Sequence, residues 1–325
     1  MSFRITQAAA LLIAASLAAG ASAQQFPTKP ITMLVPYAAG GPTDTVARVM
    51  GVAMGKPLGQ TIVVENRPSA GGILAPETVK NAKPDGYTIL IHHIGMATTP
   101  ALYRQLRFNP LADFEYIGLI NDVPMTLIAR QNFPAKDFRE FLAYVKANKD
   151  KVTYANAGVG AASHLCGMLF MSAIQTDLLT IPYKGTAPAM NDLLGGQVDF
   201  MCDQTTNTTN QIKGGKVKVY GVTSKKRVPS LPEVPTLDEL GLKGFEVGIW
   251  HGFYAPKGTP KAAIDRLVAA LQEALRDPDV KKRFNDLGTD PIALDKATPA
   301  ALQAHLKAEI DKWAPLIKKA GVYAD

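Results

Sequence analysis

Cysteine is nearly absent from this chain, with only Cys166 and Cys202 in 325 residues. No Cys-x-x-Cys occurs, and no cysteine–histidine cluster has metal-site spacing, which excludes a zinc-stabilised fold. Catalytic signatures are missing as well. There is no Gly-x-Ser-x-Gly elbow, and no P-loop lysine follows a glycine loop. Ser163 and His164 are neighbours on one predicted helix, so their side chains diverge and form no nucleophile–base pair. Charge of one sign is not concentrated. The formal net charge is +7, and the densest basic groups, Lys225-Lys226-Arg227 and Lys281-Lys282-Arg283, carry no interleaved aromatics. That pattern argues against nucleic-acid binding and for a mild steering of anions.

What is present begins at the N-terminus. Arg4 precedes the apolar run AAALLIAASLAAG and then Ala21-Ser22-Ala23. A bilayer-spanning helix needs about 20 apolar residues, and this run is too short. It reads as a secretory signal, cleaved after Ala23, rather than a buried helix. No cysteine at the boundary implies a lipid anchor. The mature chain from Gln24 then has 325 − 23 = 302 residues and a charge of 34 − 28 = +6, because the leader removes only Arg4. That length suggests about two domains, and a hydrophobic content of 47% supplies their cores. In an exported chain two cysteines favour a disulfide over two buried thiols.

Apolar strand-like runs alternate with helical ones. Strands are predicted at 31–37, 61–67 and 88–93, with helices near 43–57 and 71–82. A second set has strands at 152–157, 179–185, 198–204 and 217–224 and helices at 136–149, 161–175, 187–194 and 206–213. The strands are apolar without alternation, which suggests a parallel sheet covered on both faces. Two long extended stretches, 114–130 and 245–256, are long enough to cross between the two sets. The end is helical at 260–275, 277–286 and 298–319. The expected division is a first, discontinuous domain of residues 24–122 plus 247–325 and a second of 123–246, hinged near Asn121–Pro124 and Val247–Gly252. With Cys166 one turn into a helix and Cys202 ending a neighbouring strand, a Cys166–Cys202 bridge is predicted.

Two glycine loops stand out. In VPYAAGGPTDTVAR (35–48) a strand runs into Gly40-Gly41 and a helix follows at Pro42. The first N–H groups of that helix lack partners, and its dipole points the same way. Glycine removes the Cβ atoms that would block approach. This is a seat for a small anion, or else an ordinary strand-to-helix turn. YANAGVGAASHL (154–165) repeats the arrangement with Gly158 and Gly160, and Ser163 in the first helical turn can bond a ligand or cap the helix. A dinucleotide fingerprint fails here, because Ser163 replaces the third glycine and no acid follows the next strand. Asp44 reads either as a charge on the helix dipole or as a ligand contact. His92 and His93 point to opposite faces of their strand, so at most one faces a cleft. His251, beside Trp250, reads as packing or hinge-lining. Asp203, Gln204 and Thr205 end a strand, where side chains reach a cleft or cap the next helix.

These pieces in this order, with KPDGYTIL (83–90), IPYKGTAPAMNDLLGGQVDF (181–200), VTSKKRVPSLPEVPTLDELG (222–241) and APKGTP (255–260), resemble the solute receptors of tripartite tricarboxylate transporters, the Bug-type periplasmic binding proteins. The resemblance covers nearly all of the mature chain. It implies an α/β fold of the type II periplasmic-binding class, with two doubly wound domains joined by two crossing strands. It implies glycine loops acting as pincers on a carboxylate, partly through water, and a membrane permease with a large and a small subunit. The expected ligand set is Tyr37, Ala39, Gly40, Gly41, Thr43, Asp44, His93, Gly158, Val159, Gly160, Ser163, His164, Lys184, Gly185, Asp203, Gln204 and Thr205. No cofactor, metal or catalytic residue is expected, and a monomer is. Cys202 and Asp203 stand where many members carry other residues. A periplasmic sensor feeding a membrane kinase, or an exported hydrolase, is the alternative.

Overall fold

Strands rich in Ile, Val, Leu and Met, several of them ended by Pro or Asn, build this molecule around one curled sheet. The structure is a computed structural model that describes residues 26–321, 323 and 324. The predicted leader and its cleavage after Ala23 lie outside the described residues. The chain opens with β1 (Ile31–Val35), α1 (Pro42–Leu58), β2 (Ile62–Asn66), α2 (Leu74–Lys80), β3 (Thr88–His93), α3 (Gly95–Leu102) and the long β4 (Phe114–Arg130). It continues through α4 (Phe138–Ala147), β5 (Thr153–Asn156), α5 (Ala162–Ile174), β6 (Leu179–Pro182), α6 (Thr186–Leu194), β7 (Phe200–Gln204), α7 (Thr205–Lys213) and β8 (Val217–Val222). It returns along β9 (Gly248–Pro256) and closes with α8 (Lys261–Arg276), α9 (Pro278–Asp286), β10 (Asp290–Pro291) and α10 (Pro299–Ala320).

The strand order is β2-β1-β3-β9-β4-β7-β5-β6, with β8 and β10 also paired to β4. The parallel pairing expected within each set of strands is present, and β8, β10 and the two crossing strands make the sheet as a whole mixed. Pairing is parallel within β2-β1-β3 and within β7-β5-β6. It is antiparallel wherever β4 or β9 takes part. Continuous hydrophobicity reports burial on both faces, and it does not report strand direction. Coverage on both faces is observed. One core joins Leu90, Phe114 and Trp250 to Phe141, Tyr154 and Phe200, and another packs Met33, Val46, Met50, Phe253 and Leu267 on the opposite face.

The two predicted extended stretches are β4 and β9. From Phe114 to Pro124, β4 pairs with β9, and from Met125 onward it pairs with β7 and β8. A single strand therefore belongs to both portions of the sheet. The helix expected at 71–82 is instead a 3₁₀ turn, Ala70–Gly72, followed by α2. Helix α3 was not predicted. Gly95, Met96, Ala97, Thr98, Thr99 and Leu102 are all buried, so no polar face marks its period.

Cys166 in α5 and Cys202 in β7 form a disulfide with a Cα–Cα distance of 6.2 Å. It clamps the helix that follows β5 onto the neighbouring strand. Closing a loop of 36 residues contributes roughly 3–4 kcal/mol in the chain-entropy model. The double variant Cys166→Ala/Cys202→Ala should lose about that much stability in urea unfolding. Thiol titration of the unfolded, unreduced protein should find no reactive group; two would contradict the bridge.

Candidate functional site

Four helices begin around one small cavity. In an α/β sheet, parallel strands deliver their carboxyl ends, and the helices that follow, to the same side. Here β1, β5, β6 and β7 lead into α1, α5, α6 and α7. The cavity is walled by Pro42 and Thr43 of α1, Ala161, Ala162 and Ser163 of α5, Thr186 of α6, and Asp203 and Gln204 at the end of β7. Tyr37, His93 and Ala157 complete it. Its volume is about 10 Å³, room for about one water. None of these four helices has a side-chain cap. Of the helices that start elsewhere, α4, α9 and α10 are capped by Asp137, Asp277 and Thr298, and α2, α3 and α8 have no side-chain cap. The first-turn N–H groups at the cavity thus keep their donor capacity, and the dipoles add up to a positive potential. Ser163 Oγ accepts the Ala157 N–H at 2.9 Å, leaving its hydroxyl proton to donate.

The first loop is held from within. Gly40 adopts φ +80°, and its N–H donates to Asp44 Oδ2 at 2.9 Å. Asp44 also receives Arg48 at both oxygens, 2.9 Å each, and Asn66 Nδ2 at 3.0 Å. Burial pushes this carboxyl up, but Arg48, the Gly40 N–H and Asn66 hold it below its ordinary value. Asp44 thus staples the loop to α1. Ala39 and Gly40 are exposed, while Gly41 is buried as the first residue before α1. The Ala38 N–H donates to the Lys184 carbonyl at 3.2 Å, and the Lys184 side chain is exposed. A Cβ on Gly185 would lie 2.9 Å from the Ala38 nitrogen.

The second loop is bound crosswise. The Gly71 N–H donates to the Ala157 carbonyl at 3.3 Å, the Tyr103 hydroxyl to the Val159 carbonyl at 2.9 Å, and Thr98 Oγ1 to the Gly160 carbonyl at 3.1 Å. The two glycine loops flank the cavity and touch through Tyr37 against Ala157 and Ala161, yet the backbone hydrogen bonds of each go to a partner other than its counterpart. A Cβ on Gly158 would come within 2.6 Å of the Gly71 nitrogen, so only glycine allows this approach. His164 lies behind the loop, where its Nδ1 accepts the Gly160 N–H at 3.5 Å. Burial lowers its pKa to about 4. Thr205 faces away from the cavity and donates to the Gly288 carbonyl at 2.9 Å.

Of the expected set, Tyr37, Thr43, His93, Ser163, Asp203 and Gln204 meet at the cavity. Missed were Pro42, Ala157, Ala161, Ala162 and Thr186. Their only signal was position, just before or inside the first turn of a helix that follows a strand.

Three histidines form a neutral wall. His93 stacks on Tyr37 with ring centroids 5.0 Å apart, and its Nδ1 accepts the Gly95 N–H. That bond assigns the ring proton to Nε2. His92 turns the other way, toward the Gly72 carbonyl at 3.2 Å. His251, opposite His93 in the β3–β9 register, meets Asn121 Oδ1 at 3.0 Å and Thr43 Oγ1 at 3.4 Å. Burial lowers the pKa of His92 to about 4 and of His251 to about 3, and it drives His93 well below the usual value. Asp203 moves oppositely, with burial raising its carboxyl to about 6.

The histidine shifts set a sign for stability. A folded pKa below the unfolded one contributes stability that is present above about pH 6.5 and lost as pH falls toward the folded values. The melting temperature should therefore drop between about pH 6.5 and pH 4, and His251→Gln should flatten that slope. An unchanged slope would mean that acid instability arises elsewhere.

Comparison with known proteins agrees with this geometry. The sequence profile of the tripartite tricarboxylate transporter family receptor matches residues 46–322. A protein of Agrobacterium vitis, described as the UPF0065 protein in the TAR-I ttuE-ttuC' intergenic region, is 50% identical over 314 residues, covering 96% of this chain and 91% of the relative. The structure of periplasmic binding protein BugD aligns with a TM-score of 0.90 at 57% identity, over 92% of this chain and 99% of BugD. MatC from Rhodopseudomonas palustris, solved with bound malate, aligns with a TM-score of 0.87 at 41% identity, over 90% of this chain and 100% of MatC. The α/β fold is that of these periplasmic binding proteins. The chain belongs to the tripartite tricarboxylate transporter receptor family, a family of periplasmic solute-binding proteins.

Proposed function

We propose that this protein captures a small organic carboxylate between two α/β domains, residues 24–122 plus 247–325 and residues 123–246, and delivers it to the large and small membrane subunits of a tripartite tricarboxylate-type permease. On this reading it acts as a monomer, without cofactor or metal, after export and loss of its leader near Ala23. The observation that carries the proposal is the ring of four uncapped helix starts around a cavity with no lysine or arginine in its wall. Such a wall offers N–H groups, hydroxyls and a positive dipole field, which suit a carboxylate oxygen. Malate in MatC supports the same class.

The mechanism follows from the strands. Residues Asn121–Pro124 of β4 pair with Gly248–His251 of β9, and these are the segments that carry the chain from one portion of the sheet to the other. Bending there would part the Ala38–Lys184 and Gly71–Ala157 contacts and admit a ligand larger than the cavity of about 10 Å³. Ligand contacts from both sides exist only when the cleft closes, so binding draws the domains together. The permease then reads the closed form.

Small molecules retained by protein purified without denaturation should include a carboxylate by mass spectrometry, and titration calorimetry with it should give stoichiometric binding. Retention of no carboxylate, together with no heat from mono- or dicarboxylates, would contradict the proposal. Ser163→Ala should cost about 0.5–1.5 kcal/mol of affinity, and up to about 3 kcal/mol if the hydroxyl meets a charged oxygen. Gly185→Ala places a Cβ 2.9 Å from Ala38 N, which wedges the cleft. It should weaken binding at least tenfold and abolish the ligand-induced contraction in small-angle scattering that the wild type shows. Full contraction in Gly185→Ala would rule out that close approach as the closing contact.

A further inference from the structure

Helix α3 and the residue after it reach across the cleft. Thr98 is fully buried, and its Oγ1 donates to the Gly160 carbonyl at 3.1 Å. The Tyr103 hydroxyl donates to the Val159 carbonyl at 2.9 Å. Two successive carbonyls of the second glycine loop are therefore gripped from the other side of the division proposed above. The fit is close. A Cβ on Gly160 would lie 3.3 Å from Leu102 Cδ1 and 3.5 Å from Tyr103 Cε2, and one on Gly71 would collide with the Tyr103 hydroxyl. Each hydroxyl also has a second acceptor on its own side. Thr98 Oγ1 lies 3.4 Å from the Gly95 carbonyl, one turn back in α3, and the Tyr103 hydroxyl lies 3.4 Å from the Ala70 carbonyl. In both cases the bond across the cleft is the shorter of the two. A hydroxyl has one proton, so it serves one acceptor well at a time, and an O–H···O bond weakens beyond about 3.0 Å.

We propose that Thr98 and Tyr103 form an exchange latch that sets how long the cleft stays closed over its ligand. They are positioning residues, since neither lines the cavity. In the closed form each proton is committed to the second glycine loop, whose next residues, Ala161, Ala162 and Ser163, wall the cavity. When the crossing strands bend, each hydroxyl turns to its standby carbonyl, Gly95 or Ala70. Opening then leaves neither donor without a partner, a loss that would otherwise oppose release. The closed form still keeps the two shorter bonds. The end of the chain steadies the latch, because the Ala324 N–H donates to the Leu102 carbonyl at 2.9 Å. This rests on the capture reading above and adds to it the residues that govern release. Bonds that form after the ligand has entered act on its departure rather than on its arrival.

The test is stopped-flow and calorimetric titration of the full mature protein, followed by tryptophan fluorescence. The probes are malate, the molecule bound in MatC, and the carboxylate recovered by mass spectrometry. Thr98→Val keeps the branched shape and removes the hydroxyl; Tyr103→Phe does the same for the ring. Each should raise the dissociation rate about two- to tenfold, the worth of one neutral hydrogen bond, with the association rate within about twofold of the wild type. The double variant should release faster than either single one. Thr98→Ser retains the hydroxyl and should behave as the wild type. Wild-type dissociation in both Thr98→Val and Tyr103→Phe, or a Thr98→Ser variant that releases as fast as Thr98→Val, would overturn the latch. So would an affinity loss carried by slower association, the mark of a merely structural defect. If one variant does not fold, the other decides. Binding of no carboxylate by the wild type would instead sink the capture reading itself, and so is distinguishable from failure of the latch.

Discussion

An anion taken out of water needs partners of matching charge or fixed donors, and this cavity offers no cationic side chain. The constraint on everything else is therefore the aim of the backbone. Four uncapped helix starts can converge on one spot only if four strands stop there with their carboxyl ends side by side. Short loops after β1, β5 and β6, and the direct passage of β7 into α7, accomplish this. Their glycines let peptide groups approach where a Cβ would collide, as at Gly158 against Gly71 and Gly185 against Ala38. Asp44, held by Arg48, Asn66 and the Gly40 N–H, fixes the first loop, so that its N–H groups need no reordering when a ligand arrives.

Rigidity at the loops is combined with one continuous strand at the middle. Because β4 serves both portions of the sheet, a bend near Pro124 would move whole walls of the cavity rather than single side chains. His251 and Asn121 pair across β9 and β4 close to Pro124, and His251 also touches Thr43 at the start of α1. His251 thereby ties the crossing strands to the start of α1 in the cavity wall. The Cys166–Cys202 bridge does the same for the other side, binding α5 to the strand that carries Asp203.

Much of this was legible in the residues. The glycine loops marked where strands give way to helices, because glycine there removes steric bulk exactly at a helix start; the long apolar stretches 114–130 and 245–256 marked the crossing strands; and the two cysteines fell on neighbouring elements. The antiparallel direction of β8 and of the crossing strands was not legible, since buried parallel and antiparallel strands share one pattern. Helix α3 was invisible because most of its residues are buried, leaving no polar stripe, and because Pro100 sits inside it. The Asn66 contact of Asp44 could not be foreseen either, because it depends on β2 lying beside α1, whereas Arg48 lies one turn on in the same helix. Nor does sequence spacing reveal that the glycine loops bind crosswise, to Lys184 and to Gly71, rather than to each other. Thr186 was passed over because its helix begins after β6 without a paired glycine signature.

The central claim is that backbone donors at helix starts, rather than cationic side chains, hold the ligand carboxylate. A crystal structure of the protein with its retained carboxylate tests this directly. The account predicts carboxylate oxygens about 2.7–3.1 Å from amide nitrogens in the first turns of α1 and α5, directly or through one water, with the Ser163 hydroxyl donating to the same group. A carboxylate seated on a lysine or arginine side chain outside the cavity would contradict it.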